Sequence, residues 1–265
     1  MARQQRSGTR SVTPKPALCL LLLALSGCAA SLSRLPEVAP LSTPADLLRI
    51  VSTRVDSLHD LEVRAGINMR VDGVKQNGVV VLFYRFPDAL KIEMKVLFSS
   101  VLSALARGDS LSVYLARTNH YLEGPSADVL RTVTGVDLTP YGAREAILGL
   151  VDLSPLSLPR IGEYVTRRDT LFVEIIEPLW TRRLRFDSRT AVLLEERVYT
   201  PRGSLVSRRI LSEYQLQNGI ALPRRMEIIQ GSDRIRIQVI SRKVNSGVPD
   251  HRFRLKVPAD VIHLE

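Results

Sequence analysis

Cysteine is almost missing from this chain of 265 residues. The two present, Cys19 and Cys28, sit near the N-terminus, so everything after residue 28 lacks a thiol. That stretch can form no disulfide, hold no thiolate metal site and offer no cysteine nucleophile, and its stability must come from a packed core. Aromatic residues make up 5% of the chain, and none is interleaved within the basic doublets Arg182-Arg183, Arg208-Arg209 and Arg224-Arg225. A nucleic-acid reader stacks bases on aromatics among its cations, so no nucleic-acid partner is expected. The four histidines, His59, His120, His251 and His263, are far apart and form no ligand-spaced pair. There is no G-x-S-x-G elbow, H-E-x-x-H, Gly-rich phosphate loop or dinucleotide fingerprint. Glu195 and Glu196 are neighbours on a predicted strand and point to opposite faces, which argues against a carboxylate pair acting on one substrate. No catalytic residue, metal site or cofactor is therefore expected. Beyond residue 28 no apolar run reaches transmembrane length.

What is present starts with Arg3, Arg6, Arg10 and Lys15, then the apolar run Ala17 to Leu25, then Leu25-Ser26-Gly27-Cys28. A cationic start, a short apolar core and small residues before a cysteine read as a signal peptide. The last four residues resemble the bacterial lipobox at every position. That resemblance implies cleavage before Cys28 and its covalent acylation by diacylglycerol and a fatty acyl group, the alternative being a short buried helix or an uncleaved anchor. Each buried methylene contributes about 0.8 kcal/mol, so two or three chains hold a protein firmly to a membrane. Ala29 stands where many Gram-negative bacteria read aspartate as a retention signal, which implies a lipid-anchored, periplasm-facing address on the outer membrane. Three segments follow: a signal peptide over 1–27, an acylated N-terminus and flexible tether over 28–43, and one domain over 44–265. Loss of the four signal cations takes the formal charge from +10 to +6. The excess lies in the C-terminal half. A basic face there reads first as a solvated outer face of strands, the alternative being a surface for anionic lipid headgroups or an acidic partner.

Thr43 as cap, Pro44 at the first helical position and Asp46 in the first turn open a helix with Leu47, Ile50, Val51, Val55 and Leu58 on one face. From Leu61 the period changes to two, and six strands follow as far as Gly124-Pro125, broken at Asp72-Gly73, Pro87-Asp88 and Gly108-Asp109. Residues 78–86 are apolar on both parities, which predicts a strand covered on both faces. Lys91, Glu93 and Lys95 mark the polar side of the third strand. Two helices are predicted between Ser126 and Gly149, then six or so further strands with turns at Asp187-Ser188, Pro201-Arg202-Gly203, Asn218-Gly219 and Gly231-Ser232. Phe253, Leu255 and Val257 are predicted to close the chain as an edge strand. So large a meander must curl. The fold class expected is mainly β with a few helices: a large curved antiparallel sheet forming a half-open, unclosed β-barrel with a helical lid.

The stretch Tyr84 to Glu93, the run Gly108 to Tyr114, Tyr121 to Gly124, the helical stretch Leu130 to Leu150 and the hairpin Asn218 to Pro223 together resemble the lipoprotein-localisation superfamily. Its members include a periplasmic lipoprotein carrier and its outer-membrane receptor. The resemblance implies a concave face that takes acyl chains of a lipid or client lipoprotein without covalent chemistry, with a periplasmic carrier as a further partner. Candidates for that apolar lining are Val81, Phe83, Ile92, Met94, Leu105, Trp180, Leu184, Phe186, Val192 and Leu194; the same residues could instead fill an ordinary β core. Leu97 and Phe98 sit where the receptor has an exposed leucine in a membrane-contacting loop, although Phe98-Ser99-Ser100 replaces the proline or glycine of the family. A non-catalytic structural or assembly lipoprotein that binds an envelope protein is the alternative from a different class.

Overall fold

A computed structural model describes residues 35–87, 89–96, 99–126, 128–129, 132, 151, 153 and 160–264. Cys28, the signal segment, Leu97, Phe98 and almost all of the two helices predicted between Ser126 and Gly149 lie outside the described residues. Leu35–Glu265 forms one compact unit.

Helix α1 (Pro44–Asp56) begins as its sequence dictates. Thr43 Oγ1 accepts from the Asp46 amide at 3.3 Å, and the Asp46 carboxylate accepts from the Thr43 amide at 2.9 Å. This reciprocal box satisfies two amides that the first turn leaves open. Leu47 and Val51 are buried from this helix, and Leu58 follows them into the core. The chain just before it does not behave as a tether. The Val38 amide donates to Arg189 O at 2.7 Å, Leu41 is buried, and the Tyr164 hydroxyl donates to Thr43 O at 2.7 Å. Residues 38–43, the last part of the expected tether over 28–43, therefore pack against the domain, while residues 28–34 lie outside the described residues.

The strands are β1 (Asp60–Val71), β2 (Val74–Arg85), β3 (Ala89–Val96), β4 (Ser99–Arg107), β5 (Ser110–Leu115), β6 (His120–Pro125), β7 (Ile161–Arg167), β8 (Thr170–Ile176), β9 (Thr181–Asp187), β10 (Leu193–Tyr199), β11 (Leu205–Ser212), β12 (Gln215–Gln217), β13 (Ile220–Leu222), β14 (Arg225–Gln230), β15 (Asp233–Val244) and β16 (Ile262–His263). Fourteen of them form one curved sheet that does not close, in the order β16-β6-β5-β4-β3-β2-β1-β15-β14-β11-β10-β9-β8-β7. All pairs are antiparallel except β16 with β6. The half-open sheet expected from the meander is therefore present, with α1 against it. The two halves meet where β1 pairs with β15 from Leu61↔Val244 to Arg70↔Arg234. Tight turns set the register: Asp72-Gly73 and Asn218-Gly219 both have two successive positive φ values (49° and 76°; 48° and 79°). That geometry matches the right-handed twist of the strands and needs Asx-Gly.

The pleat sends alternate residues to opposite faces. Leu61, Val63, Ala65, Val80, Leu82 and Tyr84 enter the inner core with α1, Leu184, Phe186, Met226 and Ile237. Phe83 and its neighbours Val81 and Leu105 face the other way, into a separate outer cluster with Val248 and Phe253. This is why the second strand is apolar on both parities. The segment covering it is not the predicted edge strand at Phe253-Leu255-Val257. It is a 3-10 turn (Asp250–Phe253) with the extended chain after it, and the strand that does close the chain is β16. Lys91 Nζ reaches Arg254 O at 2.6 Å and Arg107 reaches Phe253 O at 2.9 Å, while the Arg85 guanidinium stacks over Phe253 at 4.6 Å. Lys91, read from sequence as a solvated residue, is buried under this strap.

Phe83→Ala empties the centre of the outer cluster and is expected to cost about 3–5 kcal/mol. Chemical denaturation measures the loss. Hydrogen exchange should show residues 248–254 losing protection while α1 keeps its own; equal loss in both would mean the strap is not a separate layer.

Candidate functional site

The inner face carries two apolar regions. One lies under α1 and contains Leu171, Val173, Ile175, Leu184, Phe186, Leu193, Leu211 and Ile220. The other is a strip on β4–β6 made of Ala104, Leu111, Val113, Leu122 and the nearby Val129, with Ile92, Leu102, Ala106 and Leu115 at its margin; no residue of α1 belongs to it. Alanines at 104 and 106, on neighbouring inward positions of β4, keep this strip shallow in side-chain volume.

The ten lining candidates divide across these regions. Ile92 borders both apolar regions, and Met94, buried, stands opposite Val80 and Leu102 on the same face. Leu184 and Phe186 are inward but packed in the core that α1 covers. Val192 is buried at the edge of a small cavity. Leu194 is half-buried at an irregularity in the β9–β10 pairing, and Trp180 is half-buried at the β8–β9 turn. Val81, Phe83 and Leu105 are corrected: the pleat places them on the outer face beneath the strap. Reading both parities of β2 as candidates could not tell the faces apart, because each face has its own cover.

The cavity under α1 measures about 40 Å³ and is bounded by Val51, Arg54, Val55, Phe186, Val192 and Tyr214. Ligand pockets for small molecules run to roughly 300–1,000 Å³, so this one is too small to hold an acyl chain. A larger opening of about 400 Å³ lies beside Pro40, Ser42, Tyr164, Thr166 and Ser188. Its hydroxyl-bearing walls are poorly suited to an acyl chain, since an unpaired buried polar group costs about 1–3 kcal/mol. The β4–β6 strip is the more uniformly apolar region; its residues are already buried, with Val129 packed against them, and it encloses no cavity among the described residues.

Two of the three basic doublets, Arg182-Arg183 and Arg208-Arg209, resolve into two charge layers, because neighbours on a strand face opposite ways. Arg182 and Arg209 turn inward and are buried with Glu196, whose carboxylate meets each at 2.7 Å. Their partners in the doublets, Arg183 and Arg208, turn outward to Glu174 at 2.8 Å and Glu195 at 2.5 Å. Glu195 also takes Arg185 at 2.7 Å and Arg197 at 2.8 Å. The prediction that Glu195 and Glu196 serve opposite faces matches this arrangement. Burial alone would raise the Glu196 carboxyl, but the two guanidinium groups outweigh it and hold the pKa below the ordinary value. Tyr214 donates to Leu193 O at 2.5 Å, and burial pushes its phenol well up despite three nearby arginines. Burial lowers the Arg242 guanidinium to about 10. Arg54 fastens α1 to the sheet by donating to Thr190 O at 2.6 Å and Ala191 O at 2.7 Å. Sequence reasoning missed this buried Arg182–Glu196–Arg209 group; the alternation of charge with Leu184, Phe186 and Leu211 was its available signal. Among the described residues no group of three His, Cys, Asp or Glu could hold a metal.

With the geometry in view, the comparisons define the class of fold. A DUF1329 family protein from Desulfovibrio piger superposes with TM-score 0.62 at 15% identity, covering 82% of this chain and 98% of its own. A LolA superfamily protein from Nitrosomonas europaea gives 0.54 at 11%, covering 78% and 97%. A domain named for outer membrane lipoprotein sorting, from Vibrio parahaemolyticus, gives 0.56 at 12%, covering 78% and 95%. The chain shares its fold with these three solved structures, one of them a LolA superfamily protein. No family model and no curated protein matches the chain in sequence.

Glu196 has a depressed folded pKa, so its contribution to stability is fully present above the unfolded glutamate value of about 4.3 and is lost as pH falls through the lower folded value. Glu196→Gln leaves two buried guanidinium groups without their counter-charge and is expected to cost about 3–5 kcal/mol near neutral pH. Denaturation between neutral pH and pH 3 should show the variant with a shallower acid loss than the parent.

Proposed function

We propose that this protein is an outer-membrane lipoprotein, anchored through acylated Cys28, that binds acyl chains of lipids or client lipoproteins and helps place them in the membrane without covalent chemistry. The observation that carries the reading is the inner β4–β6 strip, an apolar face of an unclosed sheet that α1 leaves to other cover. An acyl chain laid there touches Ala104, Leu111, Val113, Leu122, Ile92 and Met94 and meets no buried charge. The Arg182–Glu196–Arg209 group sits on the other half of the sheet, around β9–β11, so the charged interior and the apolar strip do not compete. The names of two structural relatives, one from the LolA superfamily and one for outer membrane lipoprotein sorting, fit this use of the fold. A handover runs from weaker to stronger binding and ends in the bilayer, with a periplasmic carrier as the donor. Leu97 and Phe98 supply the tip that touches the acceptor membrane.

The small cavity under α1 favours a second reading, a structural or assembly lipoprotein with a filled interior that binds an envelope protein. Native mass spectrometry of the protein purified from a bacterial envelope separates the two. Acyl-chain binding predicts a stoichiometric lipid adduct beyond the covalent anchor, displaced by a fluorescent fatty acid. A bare mass with no fatty-acid binding at micromolar concentration supports the scaffold. Leu97→Glu should abolish transfer of a client to vesicles with an unchanged melting temperature; a lowered melting temperature would make Leu97 a core residue.

A further inference from the structure

The outer face of the C-terminal half carries a line of cations that neither the core nor acyl-chain binding uses. Following the register across the sheet, Arg183 stands opposite Arg197, Arg197 opposite Arg208, and Arg208 opposite Ile229. Ile229 stands opposite Arg234, Arg234 opposite Arg70, and Arg70 opposite Lys75. Six cations thus share one cross-strand row over seven adjacent strands, from β9 to β2. At about 4.8 Å per strand the row is roughly 29 Å long. Like charges directly opposite one another destabilise a sheet. Ion pairs hold four of the six, Arg183, Arg197, Arg208 and Arg234, while Arg70 and Lys75 make no ion pair among the described residues. Three carboxylates, Glu174, Glu195 and Glu227, partly offset the row, but Arg185 and Arg236 stand beside it and bind those same groups. Eight cations therefore share three carboxylates along the row, with Asp72, Glu177 and Asp233 at the turns of the same end. The row remains open to water: the side chains of Arg183, Arg197, Arg208 and Arg234 are 61%, 41%, 38% and 47% exposed, and Arg70 and Lys75 are exposed too.

The second observation is that four of the eight exposed large apolar residues among the described residues fall at one end of these strands. Phe86 lies at the other end, and Ile240, Ile262 and Leu264 lie elsewhere. The row crosses the strands near the end that carries the β1–β2, β8–β9 and β10–β11 turns. Those turns present Val74 (58% exposed), Leu179 (69%) with Ile176 (41%), and Leu205 (54%). Each is a single apolar residue or pair on a hairpin tip, with the arginines one or two pleats behind it. A partner's apolar core would call for one contiguous patch. Separate apolar tips backed by cations instead match a bilayer surface, where tips enter the acyl boundary and cations meet phosphates.

We infer that this end of the sheet is a membrane-contact edge: Val74, Leu179 and Leu205 dip into an anionic phospholipid surface while the Arg183-to-Lys75 row binds its headgroup phosphates. The contact orients the domain on the bilayer and is independent of whether the inner strip holds an acyl chain. It also differs in kind from the Cys28 anchor, which confines the protein to a membrane without choosing which side faces it.

The test uses the full chain with single cysteines introduced by Leu179→Cys or Leu205→Cys, each carrying an environment-sensitive fluorophore, on phosphatidylglycerol or phosphatidylcholine vesicles. Asp109→Cys, at the opposite end of the strands, is the control. The unsubstituted chain, labelled in parallel, reports whether Cys19 or Cys28 is free, so failure of cleavage or of the anchor reads separately. On phosphatidylglycerol both tip probes should shift to the blue and Asp109→Cys should not. Raising the salt, or adding Arg70→Ser, Lys75→Ser and Arg234→Ser together, should abolish the shift. Tip probes that stay in water on both vesicles, or that move no more than the control, overturn the inference. If such unmoved protein binds polyglutamate through the same three cations, the row belongs to an acidic protein partner instead.

Discussion

The pairing of β1 with β15 is the contact on which the rest depends. It joins Leu61 to Val244 and Arg70 to Arg234 across most of the length of the chain, turning two local meanders into one sheet. Without it the N-terminal strands would have an open edge at β1 and the C-terminal strands another at β15. With it, a single inner face runs from β6 to β8, and α1, which precedes β1 directly, lies over residues from both halves. Asp60 secures the corner where β15 leaves the pair, accepting from the Ser246 and Gly247 amides at 2.9 and 3.0 Å. Long-range pairing of this kind is slow to form because chain closure comes before any compensating contact.

Once the sheet is continuous, the pleat governs everything placed on it. The doublets Arg182-Arg183 and Arg208-Arg209 and the Glu195-Glu196 pair are each divided between the two faces of the sheet. Inside, Arg182, Glu196 and Arg209 form a closed charge group in which loss of one member strands the others. On the other face Glu195, itself buried, gathers Arg185, Arg197 and Arg208, whose guanidinium groups reach solvent and are partly screened there. The same alternation supplies an apolar strip on one face and a cationic row on the other. The places proposed for an acyl chain and for a headgroup phosphate therefore lie on opposite faces of one sheet.

Much of this was legible from residue order. The α1 cap at Thr43-Pro44-Asp46, the Asx-Gly turns, the antiparallel meander and the unclosed sheet follow from local chemistry and period. The double apolar parity of β2 correctly signalled two covers. Which cover lay on which face was hidden, since Val81 and Leu82 are equally apolar and only the strap at Val248 and Phe253 distinguishes them. Lys91 looked solvated because nothing nearby in sequence announces the carbonyl of Arg254. Residues 38–43 looked like tether because their partners, Arg189 and Tyr164, are more than a hundred positions away.

The division is one of range. The sequence by itself determined what acts within a few residues: where the helix starts, where strands turn, which residues share a face, and that no thiol chemistry is available after Cys28. The tertiary structure alone decided which face became the interior, which arginines were buried against Glu196, and how cations on seven strands came into one line. Those outcomes depend on register between segments far apart in the chain. A shift of one residue in any pairing would exchange the two faces of a strand without altering its local pattern.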